Sequence, residues 1–337
     1  MKRVGFLVEK IAEKDNLLLA FYKAKRGKQY KKEVISFGDN LDYNINKLQK
    51  EIIDGKVSVG KYHSFVIADP KVRSIYAASF DERVLHHAIM NVCHQYFERT
   101  LIYDTYATRI DKGVYKALDK AIWASKKYKY VAKLDFRKYF DTISHCILKE
   151  KLIRIFKDQR LLDIFSQIID KYFVEEGKGI PIGNLTSQYF ANYYLSSLDH
   201  YVKEELQMPV YIRYMDDILI FDNDKGKLKK SVCLVTEYSA KQLELTLKIP
   251  VIKNTIEMVS FLGYKIGGNI VLLNSRSRNR FCKKLLKYDK LLLNGIWSEK
   301  EYQSHILPLI SFVNYAYTKK MRKRILKDKI GRKPLTA

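Results

Sequence analysis

The stretch YIRYMDDILIF, residues 211–221, decides the fold. Two apolar runs, Val210 to Tyr214 and Ile218 to Phe221, flank Met215-Asp216-Asp217. Each run is rich in aliphatic and aromatic side chains and has the length of a strand. The pattern predicts a β-hairpin with two acidic residues at its turn. Taken alone, an Asp-Asp pair at a hairpin tip is ordinary turn chemistry. A second acid changes that reading. The segment KYVAKLD, residues 129–135, is apolar on alternate positions and closes on Asp135. Carboxylates at strand ends beside a core are costly unless something pairs with them. Three of them at one sheet edge would repel, and a divalent metal is the usual remedy. Hard oxygen ligands with no His or Cys nearby select Mg²⁺ over Zn²⁺, with Mn²⁺ a possible substitute. Two ions a few ångströms apart allow in-line displacement at phosphorus.

The composition agrees with a polyanionic substrate. The 337 residues carry 62 Lys and Arg against 37 Asp and Glu, a net charge of +25, with 47% hydrophobic and 13% aromatic residues. That is a globular composition, and the excess of cations suits an extended phosphate backbone better than a small neutral metabolite. The four cysteines, Cys93, Cys146, Cys233 and Cys282, are too dispersed for a zinc ribbon or a disulfide scaffold. No run approaches the ~18 apolar residues of a membrane span, and the run after Lys2 and Arg3 is too short for a signal peptide. The expectation is a cytoplasmic protein without membrane contact.

Working outward along the chain, residues 1–60 read as charged and helical, with apolar positions at Leu17, Phe21, Ile45, Leu48 and Ile52. Residues 62–80 predict a hairpin joined at Asp69-Pro70-Lys71, and Asp81 a helix cap for about 82–98. Helices are expected at 142–156, 161–173, from about Thr186, and over 226–243. Short strands are expected at Thr255–Val259, Phe261–Ile266 and Asn269–Leu273. Residues 276–333 hold 17 Lys and Arg against four Asp and Glu. Ser298-x-x-Glu301 opens a helix there as a capping box. This tail predicts a basic helical unit that grips a duplex. His86, His87, Cys93 and His94 share one predicted helix, but the pairs on a common face are two turns apart, about 10 Å, too far for one ion. No Walker loop and no nucleophile-base arrangement are present.

Five segments occur in order: VAKLDFRKYFDTI, GIPIGNLTSQYFANYYL, YIRYMDDILIF, LELTLKIPVIKNTI and FLGYKI. They resemble the successive palm motifs of reverse transcriptases, over roughly residues 60–273. The resemblance implies an α+β right-hand polymerase. Fingers would take residues 1–127, with the hairpin at about 62–80. The palm would take 128–273, with a finger insertion at about 145–185, and a basic helical thumb 274–337. Ile182-Gly183-Asn184-Leu185-Thr186-Ser187-Gln188, together with Asp69-Pro70-Lys71-Val72-Arg73 and Arg83-Val84-Leu85-His86-His87, most resembles the enzymes of diversity-generating retroelements.

By that resemblance, Asp135 and Asp216 hold both metals, the Phe136 carbonyl completes one coordination sphere, and Asp217 is a weaker member. Phe140 forms an aromatic wall beneath the sugar that excludes a 2′-hydroxyl. Lys71 and Arg73 clamp the incoming triphosphate, in keeping with the chemistry of ammonium and guanidinium groups. Lys253 stands near the leaving pyrophosphate. Arg109 lies near the template, with Gly183, Tyr214 and Met215 along the primer and template. Phe261, Leu262 and Gly263 form the primer-grip turn. Ile182 stands where most relatives place a Gln, and the lost polar anchor implies error-prone synthesis, notably opposite adenine. Gln188 supplies another polar contact or only caps its helix. The implied partners are template RNA, the RNA/DNA heteroduplex, deoxynucleoside triphosphates and a small basic accessory protein. The alternatives are another bacterial reverse transcriptase (retron, intron-like or phage-defence type) or a palm that binds RNA without catalysis.

Overall fold

The hairpin expected from residues 210–221 forms inside a four-stranded antiparallel sheet. The computed structural model describes residues 2–68 and 72–330, so Lys71 and the tip Asp69-Pro70-Lys71 lie outside the described residues. In chain order, four helices open the molecule: α1 (Val8–Ala12), α2 (Lys14–Lys25), α3 (Lys32–Asp39) and α4 (Leu41–Ile53). Strands β1 (Tyr62–Ile67) and β2 (Arg73–Ala78) make the first hairpin, with Ile67 opposite Arg73. Helix α5 (Phe80–Glu98) follows, and its cap position is Ser79, not Asp81. Asp81 instead lies in the first turn, where a carboxylate complements the helix dipole.

Helix α6 (Val114–Lys127) leads into β3 (Tyr130–Asp135). The helix expected over 142–156 divides into α7 (Tyr139–Thr142) and α8 (His145–Ile155), because Ser144 takes extended backbone between them. Then come α9 (Gln159–Asp170), α10 (Leu185–Tyr194) and the short α11 (Ser196–His200). Strands β4 (Val210–Tyr214) and β5 (Asp217–Asp222) make the central hairpin, and α12 (Lys225–Leu243) returns across it. Strand β6 is Val251–Asn254, so the expected strand at 255–259 is replaced by a tight helical turn over Thr255–Glu257. A capping box between Asn254 and Glu257 draws the backbone into that turn.

The central sheet has the order β4-β5-β3-β6. Both of its faces are covered, which is why the runs in β4 and β5 are continuously apolar instead of alternating. Tyr211, Ile218, Ile220, Ala132 and Leu134 face the main core with α10 and α12. Val210, Ile212, Leu219, Phe221 and Val131 face a second core with α6. A three-stranded sheet, β7 (Val259–Phe261), β8 (Tyr264–Gly267) and β9 (Ile270–Leu273), closes that second core.

The basic tail forms α13 (Ser275–Leu293), α14 (Glu299–Asn314) and α15 (Lys319–Ile330), and the Ser298–Glu301 capping box is present. The tail docks on the second core through a two-residue turn. Leu262 and Gly263 both have positive φ, 48° and 94°. A Cβ on Gly263 would lie 2.9 Å from Ser277 Oγ and 3.0 Å from Phe312 Cζ. Glycine is therefore required by the close approach of α13 and α14 as well as by the turn. No helix among the described residues is long and apolar enough to cross a membrane.

Candidate active site

The register of the central sheet assembles the acids. Asp135 is the direct antiparallel partner of Asp217, and Tyr214 pairs with Asp217 across the hairpin. Met215 and Asp216 make the two-residue turn, with φ of 53° at Met215. Directly opposed residues share a face, so the Asp135 and Asp217 side chains project from one side of the sheet end. Like charges so placed are destabilising, and two lysines answer them. Lys248 Nζ lies 2.6 Å from Asp135 Oδ2, and the Lys248 amide donates to the Asp135 carbonyl at 2.8 Å. Lys133 Nζ lies 3.2 Å from Asp217 Oδ1 and donates to the Ser260 carbonyl at 2.8 Å.

Among the described residues Asp216 is the acid without such a lysine partner. Burial, then the charges of Asp217 and Asp135, hold its carboxyl above the ordinary carboxylate range, while Arg73 pulls the other way. The Arg73 guanidinium, at the start of β2, thus acts on Asp216 in the acidic turn. A half-buried acid pressed by two others has the donor chemistry for a hard divalent cation. Among the described residues no three His, Cys, Asp or Glu side chains already converge as a metal group. Asp135 and Asp217 instead point toward their lysines.

Behind the turn lies a buried ion pair. Arg213, fully buried in β4, donates through Nε to Asp199 Oδ1 at 2.6 Å and through Nη2 to Asp199 Oδ2 at 2.5 Å. Its Nη1 donates to Asn192 Oδ1 at 2.9 Å and to the Met215 carbonyl at 3.2 Å. Tyr211 Oη adds a 2.7 Å bond to Asp199 Oδ1. The guanidinium thus ties α10 and α11 to the backbone of the acidic turn.

The Gly-rich loop sits on the first hairpin. Tyr76 N donates to the Ile182 carbonyl at 2.9 Å, and Ala78 N to Asn184 Oδ1 at 2.9 Å. Gly183 has φ 121°, and a Cβ there would meet Ile75 Cγ2 at 2.7 Å. Phe140 is half-buried edge-on to Tyr139 at 5.7 Å, and its carbonyl accepts from Ile180 N at 2.9 Å. The loop therefore joins the Phe140 backbone to the hairpin that carries Arg73. Gln188 is exposed on α10, and the Phe136 ring is buried beside Tyr139.

Two expected residues lie elsewhere. Lys253 is opposite Val131 in β6, four positions along β3 from Asp135, whereas Lys248 touches the acid. Arg109 is turned inward: its Nε donates to Glu98 Oε1 at 2.7 Å and its Nη1 to Thr105 Oγ1 at 2.6 Å. Those bonds fit a guanidinium that shapes the 102–109 loop. Phe261 is buried, and Leu262 packs beside it in the second core.

The family model for reverse transcriptase (RNA-dependent DNA polymerase) matches residues 67–266. The chain belongs to the reverse transcriptase family. It is 22% identical over 206 residues to a COX1/OXI3 intron 1 protein of Saccharomyces cerevisiae and 23% identical over 206 residues to the intron 2 protein of that yeast. These matches take 57% of this chain but only 22% and 24% of those proteins, so the chain spans about a quarter of the relatives it matches. Among solved structures, apo telomerase from Candida tropicalis superposes with a TM-score of 0.50 at 12% identity, covering 71% of this chain and 54% of that one. Telomerase from Candida albicans in complex with a fragment of telomeric RNA gives 0.50 at 12% identity, covering 66% and 48%. The fold is that of a right-hand polymerase, with mixed helices and antiparallel sheets.

Proposed function

We propose that this reverse transcriptase is an RNA-directed DNA polymerase that makes error-prone cDNA from a retroelement RNA for targeted sequence diversification. The observation that carries catalysis is the Asp135–Asp217 register with Asp216 pressed beside it and Arg73 in electrostatic reach. An idle site gains nothing from crowded acids, which disfavours a palm that only binds RNA. Residues 1–127, 128–273 and 274–337 are assigned as fingers, palm and thumb.

When bound, two Mg²⁺ ions supply activation of the primer hydroxyl and neutralise the leaving pyrophosphate. Asp135 and Asp216 would hold them, with Asp217 and the Phe136 carbonyl alongside. Arg73, on the first hairpin, holds phosphate charge, a role the resemblance also gives to Lys71. Phe140 and the loop at Ile182 and Gly183 bound the nucleotide beneath that hairpin. Its contact with Asp135 supports Lys248, in place of Lys253, for the role beside the leaving phosphates that the resemblance gave to Lys253. The pair Lys248 makes with Asp135 is partly exposed and worth at most about 1 kcal/mol. Lys248→Met is therefore expected to lower the Mg²⁺ concentration for half-maximal thermal stabilisation by about three- to fivefold, while nucleotide addition at saturating metal slows. An unchanged Mg²⁺ titration of the melting temperature would refute that competition.

The diversification reading rests on Ile182. Ile182→Gln restores one hydrogen-bonding side chain, a change worth about 1 kcal/mol, so errors opposite template adenine should fall about fivefold. The test is primer extension on RNA with Mg²⁺ and four deoxynucleotides, then sequencing of the product, with and without a small basic accessory protein. Errors concentrated at adenine support the proposal. Faithful product instead favours an intron-like enzyme, the reading that the yeast intron relatives support. No DNA product, with RNA still bound, would leave a non-catalytic palm.

A further inference from the structure

A second cationic site lies away from the acids, where the end of α5, the middle of α8 and the α10–α11 junction meet. A cleft of about 490 Å³ is lined there by Arg99, Lys151, Arg154, Tyr193 and Ser197, among others. Lys151 is 5% exposed, and its ammonium donates to Ser197 Oγ at 2.8 Å above the Tyr193 ring. An ammonium has three donors, and among the described residues this one has a single, neutral hydrogen-bond partner. Arg154 and Arg99 stand on the same cleft, and neither they nor Lys151 make an ion pair among the described residues. The charge of buried Asp199 favours the Lys151 ammonium, but the Asp199 oxygens bond Arg213 and Tyr211. Glu204 and Glu205 also line the cleft, but both are exposed at its rim and Glu204 bonds His200. A buried cation beside a second cation tends toward its neutral form unless an anion holds it charged, and the charge of Asp199 opposes that loss only in part.

We propose that this cleft is a phosphate-binding site, with Lys151 at its floor and Arg154 and Arg99 at its mouth. None of its residues belongs to the acidic turn, and the site is independent of which RNA the enzyme copies. Burial, then the charge of Arg154, lowers the Lys151 pKa to about 8, so a bound phosphate would hold the ammonium charged. Short hydroxyl side chains at Ser196 and Ser197 supply neutral donors at the same wall. Two sources share this chemistry: a phosphodiester of RNA passing over the outside of the α8–α10 layer, or a free phosphate-bearing molecule.

The test uses the full chain and the double variant Lys151→Met, Arg154→Gln, with Arg154→Gln alone as a surface change that leaves the interior intact. Melting temperature is measured in inorganic phosphate against chloride at matched ionic strength. Binding of a labelled single-stranded RNA is measured across a salt series. For the RNA source, the double variant loses two phosphate contacts, so the slope of log affinity against log salt falls by about 1.4 and affinity drops roughly tenfold to thirtyfold near 0.1 M salt. Arg154→Gln alone gives about half that change in slope. For the free-anion source, phosphate stabilises the wild type and not the double variant, and the RNA slope is unchanged. Asp216→Asn is carried through both measurements: it removes primer extension and leaves both binding readouts intact, which separates failure of this site from failure of the catalytic reading. No stabilisation by phosphate together with an unchanged RNA slope would overturn the proposal.

Discussion

Asp216→Asn is expected to reduce primer extension by about a thousandfold or more while the protein stays folded and still binds RNA. Among the described residues Asp216 is the acid of the turn that no lysine pairs with, and burial with two neighbouring carboxylates already presses its pKa upward. Loss of metal-assisted charge stabilisation costs several kcal/mol of barrier, and about 4 kcal/mol is three decades in rate. Stability should move the other way in metal-free buffer. An acid whose folded pKa lies above its unfolded value contributes stability below the unfolded pKa and loses it as pH rises through the folded value. At neutral pH the charged Asp216 is therefore a liability to the fold, and Asn at that position should leave the melting temperature equal or higher. Mg²⁺ should stabilise the wild type and have little effect on the variant, because only a site that binds is stabilised by mass action. Asp217→Asn, paired to Lys133, should cost less activity than Asp216→Asn. Extension within tenfold of wild type by Asp216→Asn would remove Asp216 from the catalytic centre.

Local pattern carried much of this site, and non-local pairing carried the rest. Acids interrupting apolar runs mark Asp135, Asp216 and Asp217 as out of place, and a strand-length run on either side marks the hairpin. The strand register that sets Asp135 against Asp217 joins residues 82 apart and has no local signature. The two lysines of the following segment show the limit clearly. Pro250 breaks the periodicity between them, and the chain meets β3 first through Leu247, opposite Phe136, before β6 begins at Val251. Lys248 thus reaches the acid, while Lys253 lies along the strand. The resemblance set Arg109 near the template, and nothing local shows that its partner Glu98 comes from the end of the preceding helix. The end of that helix had no local mark as a wall of the proposed phosphate cleft, since Arg99 is remote in sequence from Lys151 and Arg154, neighbours on α8, and meets them only through packing. Arg213 was the missed signal. An arginine inside the run VYIRY is not tolerated in a covered strand without a buried acid, and a search for that acid leads to Asp199.

Asp199→Ala is expected to destabilise the protein by about 3–5 kcal/mol, because it strands the Arg213 charge in a fully buried position. In a chain of this size the melting temperature should fall by roughly 4–7 °C. Asp199→Asn should lie close to Ala, since it preserves volume but removes the charge that two guanidinium bonds require. Removing both ends of the pair is the informative comparison. Arg213→Met with Asp199→Leu replaces two buried charges by apolar groups of similar size, and such exchanges are often neutral. The double variant should therefore recover most of the stability that either single change loses, a coupling measurable as a double-mutant cycle. It should not recover primer extension. Arg213 also donates to the Met215 carbonyl and to Asn192, and without those bonds the turn that presents Asp216 loses its fixed support. Arg213 is in this sense a positioning residue: stability returns with an apolar pair, and the rate of nucleotide addition does not. If the double variant regains both, the ion pair is a packing feature with no hold on the acidic turn. If it regains neither, the buried network around Asn192 and Tyr211 is more cooperative than the pair alone, and the separation of stability from rate fails.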